Sequence, residues 1–248
     1  MLAGIREILI ITRLEDQLLY QSLLGDGSKF GINIEYAIQD HPRGLAEAFI
    51  IGNEFIGTEG VGMILGDNIF YGAGIGSQLK DSIMNKNAQI FTMRVANPQD
   101  FGVLEIDSQG RPISISEKPD SPKSNLAVTG LYFFDNSVLE RAKSVVPSSR
   151  GELEITSIIE SYMLEGKLDF TTMGRGTAWL DTGTPSALND ASNFVRIIED
   201  RTGLKIACLE EIGLRNGWLM PETLRVRLSN EKTTTQYSKY LNELLDQF

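Results

Sequence analysis

VGMILGDNIF, residues 61–70, decides how the chain is read. Val61–Leu65 is an apolar run of strand length, and it stops at Gly66-Asp67-Asn68. An apolar run with no alternation suggests a buried strand of a parallel sheet covered by helices. In such sheets ligands sit beyond the carboxyl ends of the strands. Asp67 stands at such an end, and Gly66 lets the backbone turn closely there. A carboxylate so placed could hold a divalent cation against a phosphate. It could equally be a turn residue that caps the next helix.

The flanking sequence repeats the alternation. EILIIT (7–12), INIEYAI (32–38) and AQIFTMRV (88–95) read as strands, and EDQLLYQSLL (15–24) and GLAEAFIIGNEF (44–55) as helices. Another helix is expected from residue 74 to about Met84. GVLEID (102–107) and RPISISEKP (111–119), joined across a Ser-Gln-Gly turn, read as an antiparallel pair. AVTGLYFFD (127–135) is a further strand. Helices over 136–144 and 152–165 and strands at 168–173 and 177–181 follow, and from Pro185 the pattern is helical. The expected fold is α/β, a Rossmann-like sheet, mostly parallel with one antiparallel pair, and a C-terminal helical lobe. The expected division is a core over residues 1–200 and a lobe over 201–248.

Composition narrows the functions. The 248 residues carry a net charge of −10 and no basic stripe, which argues against extended nucleic-acid or anionic-membrane binding. No apolar run reaches membrane-spanning length. The single cysteine, Cys208, excludes an internal disulfide and fits a reducing cytoplasm.

A second acid repeats the pattern of the first. TAWLDTGTPSAL (177–188) is a short apolar strand that ends in Asp181, with Thr184 or Ser186 placed to cap a helix starting near Pro185. Two strand-end carboxylates could share one Mg²⁺, which takes one or two carboxylates plus phosphate oxygens. In SEKP (116–119), Lys118 could hold a phosphate and Glu117 could accept from sugar hydroxyls; an exposed charged strand end is the bland alternative. In QDHPRGLAEAF (39–49), Gln39 could pair with a base edge and Gly44 could let a base approach the backbone, or the stretch is an ordinary loop. His41 reads as an exposed loop residue and Cys208 as a buried filler.

LGDNIFYG, FGVLEID, SEKP, AVTGLYFFD, RGELEIT and WLDTGT, in this order, resemble the bacterial glucose-1-phosphate thymidylyltransferases. The resemblance covers nearly the whole chain. It implies the sugar nucleotidyltransferase fold, and transfer of dTMP from dTTP to glucose 1-phosphate, giving dTDP-glucose and pyrophosphate. It also implies a place on the route to dTDP-rhamnose, a cytoplasmic enzyme and homotetramers. Matched to the family's motifs, Asp67 and Asp181 are the Mg²⁺ ligands and, with Lys118, the catalytic set. Gln39 and Gly44 match the thymine-reading positions. Gly102, Glu117, Val128, Tyr132 and Glu152 match positions around the sugar phosphate.

One departure stands out. Family members open with a buried strand and a Gly-rich loop, G-G-x-G-T-R-L, that cradles the nucleotide phosphates, followed by a lysine. Here MLAGIREILI resembles the end of the family's first helix and its second strand, and Thr12-Arg13-Leu14 lacks the glycines. The expectation is a core without its first strand and weak or absent turnover by these 248 residues. A non-catalytic paralogue that keeps the nucleotide and sugar-phosphate pockets is the rival from another class. GAGIGS (72–77) suggests a dinucleotide fingerprint, but no strand is read directly before it and its glycine spacing is wrong.

Overall fold

The computed structural model describes residues 1–83, 86–231 and 233–248. The expected end of a helix at Met84 lies outside the described residues. The chain falls into two units, one made of Met1–Ile38 with Asn189–Phe248, the other of Gln39–Leu188. The first unit starts with β1 (Glu7–Thr12), α1 (Leu14–Leu24) and β2 (Asn33–Ile38). The two strands pair in parallel, Glu7 opposite Asn33 and Thr12 opposite Ile38, as a helical crossover between them allows.

The second unit holds the larger sheet. The helix expected over 44–55 is broken at Gly52 into α2 (Glu47–Ile51) and α3 (Asn53–Ile56). β3 (Val61–Ile64) follows, then β4 (Asn68–Tyr71), α4 (Ile75–Ile83) and β5 (Ala88–Arg94). β6 (Gly102–Ile106) and β7 (Pro112–Glu117) form the expected hairpin. β8 (Leu126–Phe134) is buried at every position. Helices α5 (Val138–Ser144) and α6 (Ile155–Leu164) precede β9 (Leu168–Thr172) and β10 (Ala178–Asp181). The sheet order is β7-β6-β8-β5-β9, with β3 also on β8.

The α/β sheet is as expected, but it is not mostly parallel. β8 runs antiparallel to β3, β5 and β6, and within this unit parallel pairing among the described residues is confined to β5–β9. A continuous apolar run reports that a strand is covered on both faces; it does not report the direction of its neighbours. The core of this unit packs Phe49, Ile90, Leu104, Phe134, Ile158, Ile159 and Tyr162. Phe49 and Phe134 meet edge to face at 5.5 Å between ring centroids. Fully burying a side chain of this size contributes about 1.5–3 kcal/mol.

One strand was not expected. Asn68–Tyr71 pairs antiparallel with β10 in a separate two-stranded ribbon, Asp181 opposite Asn68 and Ala178 opposite Tyr71. Four residues that close a motif rich in Gly, Asp and Asn carry too little periodicity to stand out. After this ribbon α7 (Pro185–Thr202) begins, and the Thr184 hydroxyl accepts from the Ala187 N–H at 3.2 Å, as an N-terminal cap should.

α8 (Leu209–Arg215), α9 (Pro221–Ser229) and α10 (Gln236–Leu245) complete the first unit. Cys208, Leu214, Leu224, Leu228 and Leu241 form their core, with Cys208 buried as expected. The boundary differs from the one read at residue 200. Phe30, Ile32 and Ile34 pack with Ile8, Ile10, Leu209 and Trp218, so the first strands share a core with the last helices. Arg227 Nη1 donates to the Lys29 carbonyl at 2.9 Å across the same junction. Contacts this distant in sequence leave no local signal at either end.

Candidate active site

The antiparallel register of the ribbon explains how two distant acids meet. Asp181 ends β10 opposite Asn68, and Asp67 is the residue before Asn68. The Thr182 N–H and hydroxyl both donate to the Asp67 carbonyl at 2.8 Å, which locks the two segments together. Asn68 then orients the first acid. Its amide donates to Asp67 Oδ1 at 2.8 Å, while its own carbonyl accepts from Trp179 Nε1 at 2.6 Å and from the Gly130 N–H at 3.2 Å. The Gly183 N–H donates to Asp181 Oδ1 at 3.0 Å. Phe101 packs on Trp179, ring centroids 4.9 Å apart.

Gly183 leaves a space that both acids face. A Cβ at this position would lie 3.2 Å from Asp181 Oδ1 and 3.6 Å from Asp67 Oδ2. The donor set suits a hard divalent cation whose remaining ligands are phosphate oxygens and water. Among the described residues no group of three or more His, Cys, Asp or Glu side chains could enclose a metal ion, so a closed structural cage is not what this place offers.

A second cluster sits at the β6–β7 hairpin. Gly102 lies opposite Glu117. A Cβ on Gly102 would come 3.0 Å from Thr156 Cγ2, 3.5 Å from Glu117 Oε2 and 3.8 Å from Val128 Cβ, so these groups surround one point. Arg150 reaches three carboxylates, Glu152 at 3.1 Å, Glu117 at 3.5 Å and Glu154 at 3.6 Å. Burial raises the Glu117 carboxyl above its ordinary range, and the Glu154 charge adds to this, while Lys118 and Arg150 pull it back. Lys118 is exposed and its ammonium meets no acceptor among the described residues. Its backbone holds φ +38°, a conformation strained for a residue with a side chain, and its N–H donates to the Phe101 carbonyl at 3.0 Å. The Tyr132 hydroxyl titrates far above its usual range because it is buried, and because the charges of Glu117 and Asp67 both reach it. Tyr132 thus lies in the field of both clusters.

Gln39 and Gly44 form a third place in the same unit. Gln39 Nε2 donates to Glu47 Oε2 at 2.7 Å and to the Gly44 carbonyl at 3.3 Å. Gly44 has φ +108°, and a Cβ there would overlap the Leu153 backbone. The closest approach at Gly44 is therefore made by the chain itself. The Leu153 N–H donates to the Arg43 carbonyl at 2.7 Å and the Ala46 N–H to the Leu153 carbonyl at 3.0 Å. This bridge ties the Gln39 loop to the segment that carries Glu152. His41 is exposed, and its carbonyl accepts from the Arg43 N–H at 2.8 Å.

All ten residues singled out in the sequence fall within Gln39–Leu188. Sequence reasoning passed over Asn68, Thr182, Gly183, Arg150, Thr156 and Glu47. Most of these stand inside motifs already quoted, LGDN, WLDTG and RGELEIT; what was lacking was the spatial partner of each.

A family model described as nucleotidyl transferase matches residues 1–197. The glucose-1-phosphate thymidylyltransferase of Neisseria meningitidis serogroup A / serotype 4A is 51% identical over 246 residues, 99% of this chain and 85% of that protein. The enzyme of the same name from Mycolicibacterium smegmatis is 49% identical, over 99% of this chain and 85% of its own. A Bacillus anthracis protein assigned as a glucose-1-phosphate thymidylyltransferase, crystallised with a sucrose, superposes with a TM-score of 0.69 at 37% identity, covering 77% of this chain and 76% of that one. The dinucleotide rival finds no support here. A strand, β4, does precede Gly72, but it belongs to an antiparallel ribbon and not to a parallel crossover unit. With half of its residues shared over almost its full length, the chain belongs to the glucose-1-phosphate thymidylyltransferase family of nucleotidyl transferases.

Proposed function

We propose that the chain transfers dTMP from dTTP to glucose 1-phosphate, giving dTDP-glucose and pyrophosphate, with Mg²⁺ as the divalent ion. The observation that supports this most is the convergence of Asp67 and Asp181 on the space left open by Gly183. Mg²⁺ held there would supply positive charge to the phosphate oxygens. The remaining work is positioning and charge. Lys118 offers its free ammonium to the phosphate of the sugar. Glu117 and Glu152, steered by Arg150, accept from sugar hydroxyls, while Gly102 and Val128 shape the floor beside them. Tyr132 backs the pocket, and Gln39 and Gly44 meet the base. The sugar-phosphate oxygen forms a bond to the α-phosphorus as the α–β bridging bond breaks, and pyrophosphate leaves with the electron pair. No protein nucleophile is needed, because catalysis here is orientation plus stabilisation of spread negative charge.

The same reading extends to a role on the route to dTDP-rhamnose, to a homotetramer and to the cytoplasm. Exposed Leu14, Leu18, Leu19 and Leu23 on α1 favour self-association, which native mass would report. Among the described residues no helix is long and apolar enough to cross a membrane. The test of the reaction is pyrophosphate release from dTTP and glucose 1-phosphate, with Asp67→Asn and Asp181→Asn compared one at a time. Each variant is expected to lose about 10²-fold or more of the metal-dependent rate. Unchanged metal-dependent turnover in both variants overturns the assignment. The same assay tests the expectation of weak turnover: a rate typical of the family would end it.

A further inference from the structure

We propose that Glu47 is a positioning residue that sets the polarity of the Gln39 amide, and thereby makes the site select a pyrimidine that carries an N3–H. The inference rests on the reading of Gln39 and Gly44 as the base site. A glutamine amide has a donor side and an acceptor side, and half a turn about its last bond exchanges them. Left free, Gln39 would present either side and could not distinguish an imide edge from its inverse.

Glu47 removes that freedom. It is buried and accepts from Gln39 Nε2 at 2.7 Å. Arg43 Nε donates to its other oxygen at 2.6 Å. Burial pushes the Glu47 carboxyl up, but the hydrogen bonds from Gln39 and Arg43, together with the charges of Arg43 and His41, outweigh it and hold the group below its ordinary value. An ionised carboxylate can only accept, so the Gln39 NH₂ must face it. The second hydrogen of that NH₂ is directed to the Gly44 carbonyl, 3.3 Å away.

Gln39 Oε1 and the Gly44 N–H meet no protein partner among the described residues. An acceptor and a donor thus remain on one loop. Thymine and uracil present the complement, an N3–H beside a carbonyl oxygen. Cytosine presents the inverse, an acceptor nitrogen beside an amino group, and would set acceptor against acceptor and donor against donor. Such mismatches at a partly buried site are costly because each leaves a polar group unpaired.

The test is calorimetric binding of dTTP and dCTP, with Mg²⁺, to this chain and its variants. Glu47→Leu removes the acceptor but suits a buried position, and the preference for dTTP over dCTP is expected to fall about tenfold. Glu47→Met gives the same reading should the leucine variant fail to fold. Glu47→Gln keeps the size, but its single carbonyl oxygen would serve Arg43 and its NH₂ would face Gln39, so it too is expected to lose the preference. A purely structural role would weaken both nucleotides together and leave their ratio unchanged. An unchanged ratio in Glu47→Leu, alongside a Gln39→Ala variant that weakens dTTP, overturns the inference and leaves the base site standing. Binding of dTTP that is absent, or indifferent to Gln39→Ala, overturns the base-site reading itself.

Discussion

Replacing Gly183 by alanine separates the metal site from the fold. Gly183 is exposed and does not need the left-handed backbone that would bar a side chain, so the chain should accept a Cβ there. At such positions Gly→Ala stabilises by about 0.4–1 kcal/mol, by restricting the unfolded chain. The new methyl would lie 3.2 Å from Asp181 Oδ1 and 3.6 Å from Asp67 Oδ2. Magnesium bound to both carboxylates would sit about 2.1 Å from each oxygen, so ion and methyl compete for one volume. The 3.2 Å contact is tight, so the Asp181 carboxylate must give by a few tenths of an ångström, and the expected outcome is a melting temperature close to that of the parent chain. Divalent-cation affinity should fall at least tenfold, and any metal-dependent turnover by about 10²–10³, the usual consequence of losing an electrostatic stabiliser. Manganese titration followed by electron paramagnetic resonance, with glucose 1-phosphate present, measures the affinity; a thermal melt of the same sample measures the fold. Parent-like Mn²⁺ affinity in a folded Gly183→Ala protein would refute the shared-ion geometry.

Three further outcomes follow from neighbouring contacts. Arg150→Gln removes the cation that faces Glu117, Glu152 and Glu154. Glu117 is already raised by burial and by Glu154, so losing Arg150 raises it further. The acid limb of glucose 1-phosphate binding should move to higher pH; a pH series of binding isotherms that superposes on the parent's would contradict this. Lys118→Gly relieves the φ +38° strain while deleting the ammonium. Stability should rise by about 1 kcal/mol as glucose 1-phosphate affinity falls, and chemical denaturation with calorimetry reads both. Glu165 accepts from Arg141 at 2.7 Å and Lys167 at 2.9 Å, hydrogen bonds that, with the charges behind them, lower its carboxyl to about 2. Its contribution is full above its ordinary value and is lost as pH falls toward about 2, because the unfolded chain takes up the proton first. Melts between pH 5 and 2 should therefore fall less steeply in Glu165→Gln than in the parent, and equal slopes would deny the bridge any role.

Strands and helices were legible where one pattern ran long enough. EILIIT, AQIFTMRV and AVTGLYFFD are strands within a residue or two of their expected ends. The break at Gly52 and the short strand Asn68–Tyr71 were not legible, because four or five residues cannot sustain a period. Asp67 and Asp181 were found as strand-end acids. What brings them together is an antiparallel ribbon, not the carboxyl ends of a parallel sheet. Arg150 stood inside a quoted motif, yet nothing local says that one guanidinium gathers three carboxylates from two segments.

The amino-acid sequence by itself determined the alternation of elements, the chemical character of the site and the family. These depend on local periodicity and on side-chain types in a given order, and both survive in a linear string. Tertiary structure alone decided strand direction, the sharing of a core by residues 30–34 and the last helices, and the hydrogen bond between Gln39 and Glu47. Each of these depends on which groups become neighbours when distant segments bury their apolar faces. A hydrogen bond or an ion pair has energy only at a distance of a few ångströms, and that distance does not exist until the chain has folded.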